Sequence, residues 1–80
     1  MLLEYAEHAR EQMQERGITE ADVEWCIAGG RYIVQPWDGR RKYRRSYQGL
    51  GGQSAVFVVT NDGGWYVVTT WIRGADDPGV

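Results

Sequence analysis

Hydrophobic positions recur along this chain with two different periods. Between residues 2 and 16, Leu2, Ala6, Ala9 and Met13 stand at steps of four, three and four among acidic and amide residues. That spacing predicts a helix from about Leu2 to Arg16 with one narrow apolar stripe. Gly17 follows at once, a residue suited to the left-handed conformation that closes helices. Thr19 predicts the cap of a second helix. Asp22 stands three positions later in a capping-box arrangement, and Ile18 and Val23 are spaced as a hydrophobic staple. The second helix is expected to run to about Ala28, to bury Val23, Cys26 and Ile27, and to stop at Gly29-Gly30.

After residue 30 the period falls to two. "RYIVQ" (31–35) reads as a strand and "PWDG" (36–39) as a turn. "RKYRRSYQ" (41–48) alternates, with Tyr43, Arg45 and Tyr47 on one face and Lys42, Arg44 and Ser46 on the other. "GLGG" breaks that strand. "SAVFVVT" (54–60) is almost continuously apolar, which predicts a central strand, and "NDGG" reads as a hairpin turn before "WYVVTTWIR" (65–73). The pattern predicts an α+β fold of order α-α-β-β-β-β, with two N-terminal helices packed on one face of a four-stranded antiparallel sheet. Residues 1–73 form the single domain, and 74–80 are expected to be a flexible C-terminal tail.

Composition narrows the class. Eighty residues make one small domain, which buries roughly 60–65% of the surface its unfolded chain exposes. Five Tyr, four Trp and one Phe supply large buried areas. No apolar run approaches the roughly 20 residues of a membrane span, and no signal-peptide pattern opens the chain. The lone Cys26 suits a reducing, cytoplasmic setting. With one Cys and one His, no metal-ligand set is expected, and no nucleotide-loop spacing points to a cofactor. Charge is unevenly spread within a net −2. Acids dominate before residue 28, whereas Arg31, Arg40, Arg41, Lys42, Arg44 and Arg45 face only Asp38 between 31 and 45.

Two constellations carry candidate chemistry. His8, Gln12 and Arg16 recur every four residues, so they form a row beside the apolar stripe, where a helix borders a sheet. A histidine there can move protons near neutral pH. The plainer reading is a solvated His8 paired with Glu4 or Glu11. The second constellation is Arg41, Lys42, Tyr43, Arg44, Arg45 and Tyr47, a cationic strand interleaved with aromatic rings, as suits phosphate and base contact. Its plainer reading is an edge strand that charge protects from aggregation. Thr69 and Thr70 could offer hydroxyls to a phosphate, or serve only as β-formers.

The segment "HAREQMQERGITEADV", with His8, Arg16-Gly17-Ile18, Thr19 and Val23, resembles the opening of the bacterial domain-of-unknown-function 4258 family. "YRRSYQG", "AVFVV" and "VVTTW" fit the family's strands, and the resemblance extends over about residues 5 to 72. The family in turn resembles the fold group of barnase, EndoU, colicin nuclease domains and RelE, which are toxin-type, metal-independent ribonucleases. The resemblance implies attack of an RNA 2′-hydroxyl on the adjacent phosphate, with His8 as proton carrier. It implies phosphate stabilisation by Arg45 or Arg44, and Tyr47 or Tyr43 as second proton carrier or stacking platform. Gln12, Arg16, Arg41, Lys42 and Thr70 would then contact RNA. The implied partners are RNA and an antitoxin or immunity protein. Where relatives often carry an arginine one turn after the histidine, this chain has Gln12. Two other functions compete. One is a non-enzymatic interaction module, such as a phage or mobile-element inhibitor of a host nuclease, with Glu20, Asp22 and Glu24 mimicking nucleic-acid charge. The other is an RNA binder without catalysis. Convergence of His8 and the strand arginines on one cleft would separate them.

Overall fold

A computed structural model describes residues 2–49 and 52–74. Along the chain run β1 (Glu4–Tyr5), α1 (Glu7–Arg16), α2 (Glu20–Gly29), β2 (Arg31–Val34), β3 (Arg41–Gly49), β4 (Gly52–Thr60) and β5 (Tyr66–Gly74). The strands form one mixed sheet in the order β1-β5-β4-β3-β2. Neighbours from β5 to β2 are antiparallel, and β1 joins β5 in parallel. The fold is therefore α+β with five strands, where the sequence pattern predicts four antiparallel ones.

The extra strand comes from the expected start of α1. Glu4 donates its N–H to the Trp65 carbonyl at 2.9 Å, and Ala6 donates to Val67 at 2.9 Å. In a helix beginning at Leu2, the first N–H groups would have no such partners. Leu2 consequently leaves the predicted stripe and is 96% exposed, while Ala9 and Met13 remain buried. Gly17 closes α1 at φ 68°, as its position predicts.

Both halves of the capping box form at α2. The Thr19 hydroxyl accepts from the Asp22 N–H at 3.1 Å, and the Asp22 carboxylate accepts from the Thr19 N–H at 2.9 Å. Thr19→Ala is expected to lower stability by about 1 kcal/mol, read as a lower denaturant midpoint at unchanged m-value.

Period-two alternation sets the faces of the sheet. Tyr43 pairs with Val58 and Val58 with Thr70, while Arg45 pairs with Val56. Both helices lie on this side, where Ala9, Met13, Ile18, Val23, Cys26, Tyr43, Val56, Val58 and Val67 form one core. Burial pushes the Cys26 thiol up to about 11, and its Sγ lies 3.3 Å from the Val56 carbonyl oxygen, to which it donates. Lys42, Arg44, Phe57 and Trp71 project from the opposite face. The pairing of β4 with β5 slips between Val59 and Thr60, where Val68 is the extra residue.

The last strand ends at Gly74, one residue past its expected end, and the tail from 75 to 80 lies outside the described residues, as do Leu50 and Gly51 of the "GLGG" break. Among the described residues, no helix is long and apolar enough to cross a membrane.

Candidate nucleic-acid interface

The row predicted on α1 lies along the outer edge of β5. Strand β1 covers only Tyr66 and Val67 there. Beyond them, the Thr70 N–H and C=O point away from β4, and α1 satisfies both. Gln12 Oε1 accepts from the Thr70 N–H at 3.4 Å and from the Thr69 hydroxyl, while Arg16 Nη1 donates to the Thr70 carbonyl at 3.2 Å. Gln12 and Arg16 thus take the place of the missing strand. An arginine at position 12 could not accept the Thr70 N–H, because a guanidinium carries donors only. The Thr70 hydroxyl is also committed: the residue is fully buried and its Oγ1 donates to the Phe57 carbonyl at 2.7 Å. Gln12, Arg16 and Thr70 therefore converge, but through contacts that seal the sheet edge.

His8 stands one turn before Gln12 on the same row and is exposed. Among the described residues it forms no ion pair, so the pairing with Glu4 or Glu11 is not made. Further along α1, Gln12 and Arg16 line a groove of about 470 Å³ with Trp71, Ile72 and Arg73, and His8 is not part of its lining. Two guanidinium groups thus lie beside an indole at the edge of β5.

The basic strand divides between the faces as alternation predicts. Arg41, Tyr43, Arg45 and Tyr47 share the helix side with Val56 and Val58. Arg45 donates to the Trp25 carbonyl at 2.8 Å, and its guanidinium carbon lies 3.9 Å from the Trp25 ring centre. Tyr47 meets the same indole edge-on at 6.2 Å between centroids. The Tyr43 hydroxyl accepts from Arg41 Nη1 at 3.2 Å, a bond that raises the Arg41 pKa, and the Tyr43 ring lies 5.0 Å from that of Tyr32. These four side chains tie α2 and β2 to the sheet. Helix α1 packs on β5, whereas α2 packs on β3 and β4. β3 lies two strand spacings, about 10 Å, from β5. A hollow of about 560 Å³ does span the sheet from Tyr47 and Trp25 to Ile72, but neither His8 nor Arg45 lines it, so His8, Arg45 and Tyr47 do not line one cleft together.

Lys42 and Arg44 occupy the other face, which neither helix covers. There Phe57 and Trp71 stack with an interplanar angle of 1° and centroids 5.0 Å apart. Lys42 Nζ lies 5.6 Å from the Phe57 centroid and 5.8 Å from that of Trp71, and the Arg44 guanidinium lies 5.8 Å from Phe57. Arg31 pairs with Arg44 across β2 and β3, and Arg73 pairs with Ala55 across β5 and β4, so both share this face. A smaller hollow of about 220 Å³ opens among Arg31, Tyr32, Ile33, Lys42, Arg44 and Phe57. Trp71 is half-buried, and its indole N–H is buried without an acceptor among the described residues.

Sequence reasoning missed Arg31, Phe57, Trp71 and Arg73. Alternation places each of them on a face of its own strand. The strand pairings of Arg31 with Arg44, Arg44 with Phe57, Phe57 with Trp71 and Ala55 with Arg73 gather them into one surface.

A family model described as "Domain of unknown function (DUF4258)" matches residues 5–72. No curated protein and no solved structure matches the chain.

Proposed function

We propose that this chain, which belongs to the DUF4258 family, binds single-stranded RNA across its uncovered sheet face and cleaves it, without a metal, at the α1–β5 edge. The observation that carries this reading is the continuity of the basic surface around β5. Trp71 and Arg73 belong both to the open face with Lys42 and Arg44 and to the groove with Arg16. A phosphate backbone can follow cations in such an arrangement while bases meet the half-buried Trp71, Phe57 beside it being buried. At the edge, the scissile phosphate would sit between Arg16 and His8, which stand eight residues, about 12 Å, apart on α1. The 2′-hydroxyl attacks the adjacent phosphorus, the bond to the 5′-oxygen breaks, and a 2′,3′-cyclic phosphate and a 5′-hydroxyl result. His8 serves as base toward the nucleophile or acid toward the leaving oxygen. The guanidinium groups stabilise charge on the phosphorane. This is the chemistry of the barnase- and RelE-like group that the sequence resembles, and it fits a cytoplasmic toxin with an antitoxin or immunity partner.

The inhibitor reading draws less support. Of the acids it needs on α2, Glu20 is paired with Arg10 at 2.9 Å, and Asp22 is held in the capping box. The deciding experiment incubates the purified protein with RNA in EDTA and looks for cyclic-phosphate ends. No cleavage by the wild-type chain would overturn the catalytic reading.

The division of the basic strand makes a separate prediction. Binding to single-stranded RNA should weaken with salt, and Lys42→Ala and Arg44→Ala should each flatten the log–log slope by about 0.7. Arg41→Ala and Arg45→Ala should leave the slope unchanged and lower the melting temperature instead. Equal slopes for all four variants would place the RNA elsewhere.

A further inference from the structure

The two edges of the sheet are finished differently. One is closed by β1 and by Gln12 and Arg16 of α1. The other is β2, and it is left open. Gln35 donates its N–H to the Arg40 carbonyl at 2.8 Å, which makes that pair a hydrogen-bonded one in the β2–β3 ladder. Alternation then makes the pairs of Ile33 with Lys42 and Arg31 with Arg44 hydrogen-bonded too. The N–H and C=O groups of Tyr32 and Val34 must therefore point away from β3, along the outer edge. The side chains beside them are apolar and exposed, Tyr32 at 48%, Ile33 at 62% and Val34 at 56%. Proteins usually blunt such an edge with an inward charge, a bulge or a proline within the strand. β2 is only four residues long and carries one charge, Arg31, at its start, but Tyr32 to Val34 has no charge, bulge or proline, and Pro36 comes only after the strand.

Charge identifies the occupant. Arg31 and Arg44 are directly opposite each other and both exposed, and neither has an ion-pair partner among the described residues. Like charges in that relation repel. A second copy of the chain would bring a second Arg31 and Arg44 to the same sheet face, so self-pairing adds to the repulsion. A strand carrying carboxylates relieves it.

We propose that β2 is a docking edge for an extended segment of a partner protein in which apolar and acidic residues alternate. Its backbone pairs with Tyr32 and Val34. Its apolar side chains lie beside Tyr32 and Val34 on the helix side, and its carboxylates lie beside Arg31 and Arg44 on the open face. The proposal stands whether or not the chain cleaves RNA. A segment bound there would also compete with RNA for Arg44.

The probe is a capped, fluorescein-labelled hexapeptide alternating valine and glutamate, titrated against the whole chain by anisotropy, with amide exchange followed by NMR. Saturable binding with slowed exchange at the Tyr32 and Val34 amides is expected. A valine–lysine hexapeptide should bind about tenfold more weakly or worse. Val34→Pro removes an outward donor without touching the β3 ladder, and should weaken binding by a similar factor, about tenfold. Arg31→Glu should reverse the preference between the two peptides, and it keeps the test decisive if the proline variant does not fold. Equal affinity for both peptides, or unchanged exchange at Tyr32 and Val34, would overturn the proposal. So would protection of these two amides in the peptide-free chain together with a dimer in sedimentation, since the occupant would then be a second copy.

Discussion

His8→Ala is expected to leave RNA affinity within error of wild type and to slow cleavage by about 10²–10⁴, the range over which a positioned acid or base contributes. The separation of binding from chemistry follows from placement. His8 lies on α1, away from the Lys42–Arg44 face, and among the described residues it makes no ion pair whose loss would disturb the fold. The helix keeps its hydrogen bonds, and alanine is the best helix former. Single-turnover cleavage with saturating protein separates the two effects. Arg16→Lys adds a contrasting arm, since it keeps the cation but changes the group that donates to the Thr70 carbonyl. Tyr47→Phe removes only a hydroxyl from a ring that packs on Trp25, so its rate should match wild type. A rate for His8→Ala equal to wild type would leave an RNA-binding surface without His8 catalysis. Loss of rate in Tyr47→Phe would move the proton chemistry to the α2 side of the sheet.

Gly30→Ala should be more damaging than Gly29→Ala, its neighbour at the end of α2. A Cβ at this position would stand 2.3 Å from the Cys26 carbonyl oxygen and 2.8 Å from that of Arg44. Both are backbone atoms, one at the end of α2 and one in β3. Neither can rotate away as a side chain would. The Gly30 N–H donates to that same Cys26 carbonyl at 2.7 Å, so relief of the clash also strains the helix cap. Overpacking of this kind costs about 3 kcal/mol, and in a domain of this size each kcal/mol lowers the melting temperature by about 4–8 °C. Gly29→Ala is the control. Its Cβ meets only the Arg45 guanidinium, at 2.2 Å from Nη1, and that side chain can swing off the Trp25 carbonyl. The expected loss is the smaller one of a single charge-assisted hydrogen bond, about 1.5–3 kcal/mol, partly offset by the better helix propensity of alanine. Calorimetry of both variants checks the ranking. A Gly30→Ala chain as stable as wild type would mean that α2 and β3 meet less closely than this.

Much of the architecture was legible in local patterns because local forces produce it. Thr19 and Asp22 announced α2 through hydrogen bonds that span three residues, and Gly17 announced the end of α1 through a dihedral that glycine adopts freely. Alternation in β3 separated Arg45 from Arg44 without knowledge of any partner strand. The "HAREQMQERGITEADV" segment pointed to the family whose model matches residues 5–72.

Tertiary structure alone decided the rest. Two residues, Glu4 and Tyr5, are too short to show a period, and they became a strand because the β5 edge offered the Trp65 and Val67 carbonyls. Gln12 and Arg16 read as ligands for a phosphate. Their heads also reach the backbone of Thr70, because the pairing of β1 ends at Val67 and unsatisfied edge groups are costly to leave, while Arg16 still lines the groove with Arg73. Arg45 read as a phosphate cation, and the carbonyl and ring of Trp25, twenty residues away, claimed it. In each case a polar group was drawn to a backbone atom distant in sequence, and strand order and register, set by burial of the whole core, determined which atom that would be.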